Sequence, residues 1–395
     1  MTHEYVIVAA KRTAIGRFGG TLKDFNSGDL ASIVIKDVLA ETNLDGNLIN
    51  EVILGEVRQS TESSNVARVA SLRAGLPVTT SAYTVNRLCA SGIQAIVSAV
   101  QHLAFNPDEV VIAGGTENMS RAPIYLRNAR HGEGNPYIVD SNLENGQQPI
   151  EIYGDKLGMG ITAENVAEKY GVSRADQDKF ALESQLRAKR AWDANRFDTQ
   201  ITPVEIKSKK SSTIFNKDEH MRETTLEQLN SLKPVFKKDG TVTAGNACGR
   251  NDGASALIIM TREKAHELGI KPLAKIHSWA VSAIEPEYMG VGPISAIKKL
   301  IAQTKLQLND FDLIELNEAF ASQSLAVIRE LNLDIEKVNV NGGAIALGHP
   351  LGATGAIIVT KLVHEMIARQ SHFGLATLCI GGGQGMAIAL ESVSN

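Results

Sequence analysis

The chain has 395 residues, of which 43% are hydrophobic and 21% charged, so it can bury a substantial core and is too long for one average domain; two or three domains are expected. Its 40 Lys and Arg against 44 Asp and Glu leave a net charge of -4, and with no basic stripe interleaved with aromatics no nucleic-acid partner is expected. The apolar run in MTHEYVIVAAKRT is too short for a signal h-region or a membrane span, and Cys89, Cys248 and Cys379 form neither a CxxC pair nor a Cys/His cluster. A cytoplasmic protein with reduced thiols, no disulfide framework, no metal site and no membrane partner is expected.

In chain order, GDLASIVIKDVLAETNLDGNLINEVILGEV predicts an amphipathic helix, a polar turn and a strand ending at Gly55-Glu56-Val57. YTVNRLCASGIQAIVSAVQHL follows as strand, small-residue turn and long helix, and EVVIAGGTENMS as a strand running into glycines. About 260 residues later the same order returns: PISAIKKLIAQTKLQLNDFDLIELNEAF, then VNVNGGAIALGHPLGATGAIIVTKLVHEM, then FGLATLCIGGGQG. The second copy passes straight on to a last strand, MAIALESV, whereas its counterpart GASALIIMTRE comes only after residue 252. Arg121 to Arg250 is therefore read as an insertion. It opens with the loop-like RHGEGNPYIVDSNLENGQQPIEIYG, continues with two helices, and carries the lysine-rich IKSKKSSTIFNKDEH. Alternating strands and helices predict an α/β architecture of layered sheets covered by helices, with two halves packed about a pseudo-twofold and the insertion as a separate lobe.

Four motifs fall on turns. Cys89 lies at a strand-to-helix turn, where helix N–H groups and the dipole favour an anion and are expected to lower the thiol pKa; the bland alternative is a small buried hydrophobe. His349 occupies the matching turn of the second copy, so pseudo-twofold packing would bring an imidazole towards the thiol, as nucleophile activation requires; the alternative is a histidine capping local backbone. Cys379 ends a strand before GGGQG, whose glycines let a substrate approach the backbone, or else simply fills space. Asn317, followed by Glu318 in NEAFA, suits holding a water or oxyanion, or a helix N-cap. GGGQG and GHPLGATG lack the remaining features of dinucleotide and P-loop fingerprints.

Over essentially its whole length the chain resembles the thiolase family, through AAKRTAIGRFGG, NRLCASGIQA, GGTENMS, MGITAENVAE, LKPVFKKDGTVTAGNA, NEAFA, NGGAIALGHPLGATG and CIGGGQG in the family's order. The resemblance implies two similar βαβαβαββ halves in five layers, with a loop domain inserted in the first. The corresponding boundaries are 1-120 plus 251-271 for the N-terminal half, 121-250 for a coenzyme A-binding loop domain, and 272-395 for the C-terminal half. It also implies reversible condensation of two acetyl-CoA to acetoacetyl-CoA and CoA. Cys89 would carry the acyl group, His349 would activate it, and Cys379 would exchange the proton on C2 of the second acyl-CoA. His349 with a water held by Asn317 would form one oxyanion hole, and the N–H groups of Cys89 and Gly381 the other. Arg222 would contact the nucleotide, and Phe236, Ala244, Cys248, Met289, Ala319 and Phe320 match positions along the pantetheine channel, plain packing being the alternative for the apolar ones. The lysines from Lys207 to Lys217 would attract phosphates or form a solvated face. Acyl-CoA and CoA are the implied partners, a homotetramer of the dimer-of-dimers kind the implied assembly, and no prosthetic group is implied.

A thiolate both attacks a thioester and departs at similar energy, which favours cysteine over serine as the acyl carrier, and the enolate step needs a base beside oxyanion donors. Two departures bear on specificity. Cys248 and Arg250 stand where the family usually has Ser and an apolar residue, and Gly158 stands where many short-chain members have His. The alternatives are a degradative 3-ketoacyl-CoA thiolase of broader chain length in fatty acid metabolism, and a thiolase-like protein that binds acyl-CoA without turnover.

Overall fold

A computed structural model describes residues 3–207 and 211–393; Lys209 and Lys210 of the lysine-rich stretch lie outside them. In chain order the main strands are β1 (Tyr5–Thr13), β2 (Ile49–Gly55), β3 (Ser81–Val85), β4 (Val110–Asn118), β5 (Asn251–Thr261), β6 (Ala274–Ala283), β7 (Leu313–Leu316), β8 (Phe373–Ile380) and β9 (Gln384–Glu391). The main helices are α1 (Ser27–Thr42), α2 (Val66–Ala74), α3 (Ser91–Phe105), α4 (Met159–Lys169), α5 (Arg174–Asp193), α6 (Gly292–Thr304), α7 (Ala321–Glu330) and α8 (Leu351–Arg369).

The duplication is visible in the ladders. Strands β3, β2 and β4 run parallel and meet β5 antiparallel, just as β7 and β8 run parallel and meet β9 antiparallel. The two half-sheets join along a seam of β1 against β6, carried by the pairs Val6–Lys275 and Ile7–Ala274, so the strand path reads β7-β8-β9-β6-β1-β5-β4-β2-β3. Three apolar clusters divide the layers. Val34, Ile35 and Ala67 of α1 and α2 pack on one outer face with Val52 and Ile112. Ile297 and Val327 of α6 and α7 cover the opposite outer face with Leu375 and Ala389. Ile96 and Val100 of α3 meet Val359 and Leu362 of α8 between the sheets. The result is five layers, helix, sheet, paired helices, sheet, helix. The middle helices are apolar and long enough to cross a bilayer, but that apolarity serves burial between two sheets.

Two features differ from the sequence reading. The VNV segment at 338–340, the expected counterpart of β3, forms only the bridge Ile314–Val338. Asn339 sits at φ 47 and makes the ladder bonds with its side chain: Oδ1 accepts from Leu316 N–H (2.9 Å) and Nδ2 donates to Leu316 C=O (2.8 Å). The inserted stretch is also stitched into the first half. Ile201–Thr202 pairs with β1, and the fully buried Arg12 guanidinium donates twice to the Asp218 carboxylate, at 2.8 and 3.1 Å. Insertion is cheap at this point because Asn118, ending β4, already faces Asp252 at the start of β5.

Candidate active site

Cys89 stands on the turn between β3 and α3. The preceding Leu88 is held at φ 46, a left-handed conformation costly for a branched side chain, and the surrounding hydrogen bonds enforce it. Leu88 N–H donates to Asn86 Oδ1 (2.9 Å), while Ser91 Oγ accepts from Arg87 N–H (2.9 Å) and donates to Leu88 C=O (2.6 Å). The sulfur receives the backbone N–H of Gly381, and the Arg58 charge also favours its anion, yet burial outweighs both and pushes the Cys89 thiol up to about 11. This corrects the sequence expectation of a lowered pKa: helix-terminus position argues for a thiolate, but desolvation decides, and the resting group is a thiol.

His349 is presented by Gly348, which adopts φ 108 and packs so closely that a Cβ there would lie 2.5 Å from the Asn251 side chain. The His349 backbone N–H donates to Asn251 Oδ1 (3.0 Å), so the first residue of β5 pins the histidine turn of the other half. His349 Nδ1 lies 2.6 Å from Thr354 Oγ1, and that hydroxyl donates to Pro350 C=O (2.9 Å). With its proton given away, the hydroxyl accepts from Nδ1–H, which leaves Nε2 as the basic nitrogen. Burial holds the imidazolium down to about 4, so the ring is neutral.

Cys379 is the last residue but one of β8, and the chain leaves the strand through Gly382 and Gly383 at φ 80 and 84. Burial and the nearby Cys89 and Cys248 sulfurs raise its pKa, and Cys248 is pushed up to about 12 for the same leading reason. Three thiols and a neutral imidazole thus share one desolvated site.

A cavity of about 790 Å³ gathers these groups: Cys89, His349, Cys379 and Gly381 all line it. So do the seven residues assigned to coenzyme A, Arg222, Phe236, Ala244, Cys248, Met289, Ala319 and Phe320. Phe236 packs edge-on against Phe320 at 6.4 Å, and Met289, Ala319 and Phe320 form a buried cluster with Cys379, so packing and lining coincide for these residues. Arg250 lies at the exposed mouth with its guanidinium 4.3 Å from the Phe18 ring centre. Among the described residues the cavity wall carries Arg58, Lys156, Arg222 and Arg250 and no Asp or Glu, against the chain's overall negative balance. Among the described residues no group of three or more His, Cys, Asp or Glu is placed to hold a metal ion.

Asn317 lies off this wall. It borders a separate cavity of about 20 Å³, room for one water, together with Gly348 and Thr354. It is not an N-cap, since α7 begins at Ala321 with Phe320 before it, and both its side-chain Oδ1 and Nδ2 are buried without a partner. Glu318, beside it, is structural: its carboxylate accepts from Ser184 Oγ (2.6 Å), Asn339 Nδ2 (2.8 Å) and Ile345 N–H (3.2 Å).

Sequence reading missed four residues. Thr354 and Asn251 orient His349. Glu117 accepts from Val57 N–H (3.0 Å), Arg58 N–H (2.9 Å) and Gly352 N–H (2.8 Å), tying the end of β2 to the start of α8. Arg58 enters the cavity three residues beyond the carboxyl end of β2, where ligands of parallel sheets characteristically bind, and that position was the signal available.

Family models described as "Thiolase, N-terminal domain" and "Thiolase, C-terminal domain" match residues 5–263 and 270–392. The chain is 46% identical, over 401 aligned positions covering 100% of both chains, to an acetyl-CoA acetyltransferase of Syntrophomonas wolfei. Its fold superimposes with a TM-score of 0.95 on the crystal structure of the Bacillus anthracis acetyl-CoA acetyltransferase, at 45% identity and 99% coverage of each chain. It superimposes with a TM-score of 0.93 on human mitochondrial 3-ketoacyl-CoA thiolase in complex with CoA, at 45% identity, covering 99% of this chain and 98% of that one.

Proposed function

The chain belongs to the thiolase family of acyltransferases, and from that premise we propose that it is an acetyl-CoA C-acetyltransferase, joining two acetyl-CoA into acetoacetyl-CoA and CoA, and the reverse, through an acyl-cysteine on Cys89. The observation that carries this reading is the convergence of Cys89, His349, Cys379 and Gly381, from three distant segments, on one cavity walled by cations. His349 Nε2 takes the Cys89 proton; the sulfur bonds to the thioester carbon, the bond to the CoA sulfur breaks, and the departing thiolate receives the proton. His349 Nε2, free again, takes the Cys379 proton, and the Cys379 thiolate takes the C2 proton of the second acetyl-CoA; the enolate attacks the acyl group on Cys89, the bond to that sulfur breaks, and the imidazolium returns its proton to the Cys89 thiolate. Gly381 N–H, aimed at the Cys89 sulfur, and the Cys89 N–H are the donors assigned to the acyl oxygen. Asn317, with unpartnered amide atoms beside a water-sized cavity, is assigned to hold the water that completes the enolate oxyanion hole with His349. The CoA thioester is substrate, with its phosphates towards Arg222 and its arm along Phe236, Met289 and Phe320.

A second reading, cleavage of longer 3-ketoacyl-CoA, is favoured by Gly158. This glycine lines the cavity, and even a Cβ there would meet only the Asn145 amide, at 3.4 Å, so acyl groups longer than acetyl have room. Assembly into tetramers is supported by the open edge of β3 and by the hairpin Ile124–Arg127 and Tyr137–Asp140, which exposes Ile124, Leu126 and Ile138.

Intact-protein mass spectrometry after brief exposure to acetyl-CoA, with peptide mapping, tests the reading. An acetyl adduct on Cys89 supports it, and turnover without such an adduct overturns it.

A further inference from the structure

Arg58 plays no part in the chemistry proposed above. Glu117 fixes its backbone, and the same carboxylate binds Gly352 N–H, three residues past His349, so Arg58 stands one carboxylate away from the reacting groups. Its side chain enters the same cavity as Cys89, with Nε buried and without a hydrogen-bond partner; among the described residues no carboxylate forms an ion pair with the guanidinium, although its charge is felt by Glu117. Gln147, on the wall of the same cavity, contributes a second buried orphan, Oε1, and lies against Gly381, whose N–H points at the nucleophile. Arg58 as a whole is only partly buried, so the cost falls on its Nε–H, a buried donor with no acceptor, which an anionic group on the ligand would satisfy and a plain alkyl chain would not. In the CoA placement proposed above, the phosphates lie towards Arg222, a pantetheine arm from a thioester at Cys89, and so do not supply that anion. Arg58 is also near enough to Cys89 for its charge to favour the thiolate.

We propose that Arg58 is a specificity residue that receives a carboxylate at the far end of the acyl group, so that the enzyme prefers acyl-CoA esters of dicarboxylic acids over monocarboxylic ones of equal length. The planar guanidinium suits a bidentate grip on a carboxylate, and the Gln147 amide, whose buried Oε1 has no partner, can rotate to present its NH2 to the same oxygens. The inference rests on the acyl-enzyme reading above.

The test compares Cys89 labelling by glutaryl-CoA and valeryl-CoA, equal in chain length and differing in the terminal carboxylate, in wild type, Arg58→Met and Arg58→Lys. Glutaryl labelling faster by about tenfold or more is expected in wild type, one good charged contact being worth that much. Arg58→Met should abolish or reverse the ratio, and Arg58→Lys should keep part of it. Valeryl labelling as fast as glutaryl in wild type overturns the inference. So does an unchanged ratio in Arg58→Met with both rates reduced, since that outcome assigns Arg58 only to the Cys89 thiolate. Absence of any adduct from these esters and from acetyl-CoA alike overturns the acyl-enzyme reading first, and the inference with it.

Discussion

Gly92 and Gly355 meet where α3 crosses α8: a Cβ on Gly92 would lie 2.4 Å from the backbone nitrogen of Ala356, and one on Gly355 would lie 2.5 Å from that of Ile93. The contact is backbone to backbone at the starts of the two central helices, each of which follows a turn bearing one reacting group, Cys89 or His349. Only glycine allows the approach. Gly92→Ala is expected to force the helices apart, costing about 1–3 kcal/mol as overpacking. Urea denaturation should show the loss as a lower midpoint, and acylation of Cys89 should slow as the thiol and imidazole separate.

Thr354 sets the tautomer of His349 by accepting from Nδ1–H while donating to Pro350 C=O. Thr354→Val keeps the shape and removes the acceptor, so kcat is expected to fall by about 10²-fold, the cost of misplacing a catalytic base. Thr354→Ser should restore most of it. Wild-type kcat in Thr354→Val would remove the tautomer assignment.

Cys379→Ala separates the two half-reactions. Acyl-enzyme should still form on Cys89 from acetyl-CoA, while condensation and exchange of C2 deuterium into acetyl-CoA stop. Loss of acylation together with condensation would assign Cys379 a structural place in its buried cluster with Phe320 and Met289.

The pH dependence follows from the directions of the shifts. His349 is held down to about 4, so its neutral, basic form persists above that value; Cys89 is raised to about 11, so it stays a thiol below that. The rate constant for acylation, read as kcat/KM, should therefore be flat from about pH 6 to about pH 9. A limb near the ordinary histidine value would show an unshifted imidazole.

Glu56 supplies a stability prediction. Burial and the neighbouring Glu117 raise it from 4.5 to about 8. A carboxyl whose folded pKa is raised contributes its stability fully below the unfolded value and loses it as pH rises through the folded one. Wild type should thus lose stability between about pH 5 and pH 8 relative to Glu56→Gln, which cannot ionise. Equal slopes of Tm against pH for the two proteins would refute this.

The repeat, the alternation of strands and helices and the turn placement of Cys89, His349 and Cys379 were legible in the sequence, because periodicity and turn chemistry are local signals, whereas Gly381 was named only through the resemblance to the thiolase family. The position of Arg58 was readable from the end of β2, but its lack of a partner was not. Only the tertiary structure decided what distance in sequence conceals. Asn251 and Thr354 act on His349 through contacts made when the halves close, and Asn339 replaces a strand with side-chain bonds to Leu316. The Cys89 thiol was expected to lie low from its place before a helix, and burial between two sheets raised it instead, because desolvation is a property of everything packed around a group and no stretch of chain encodes it alone.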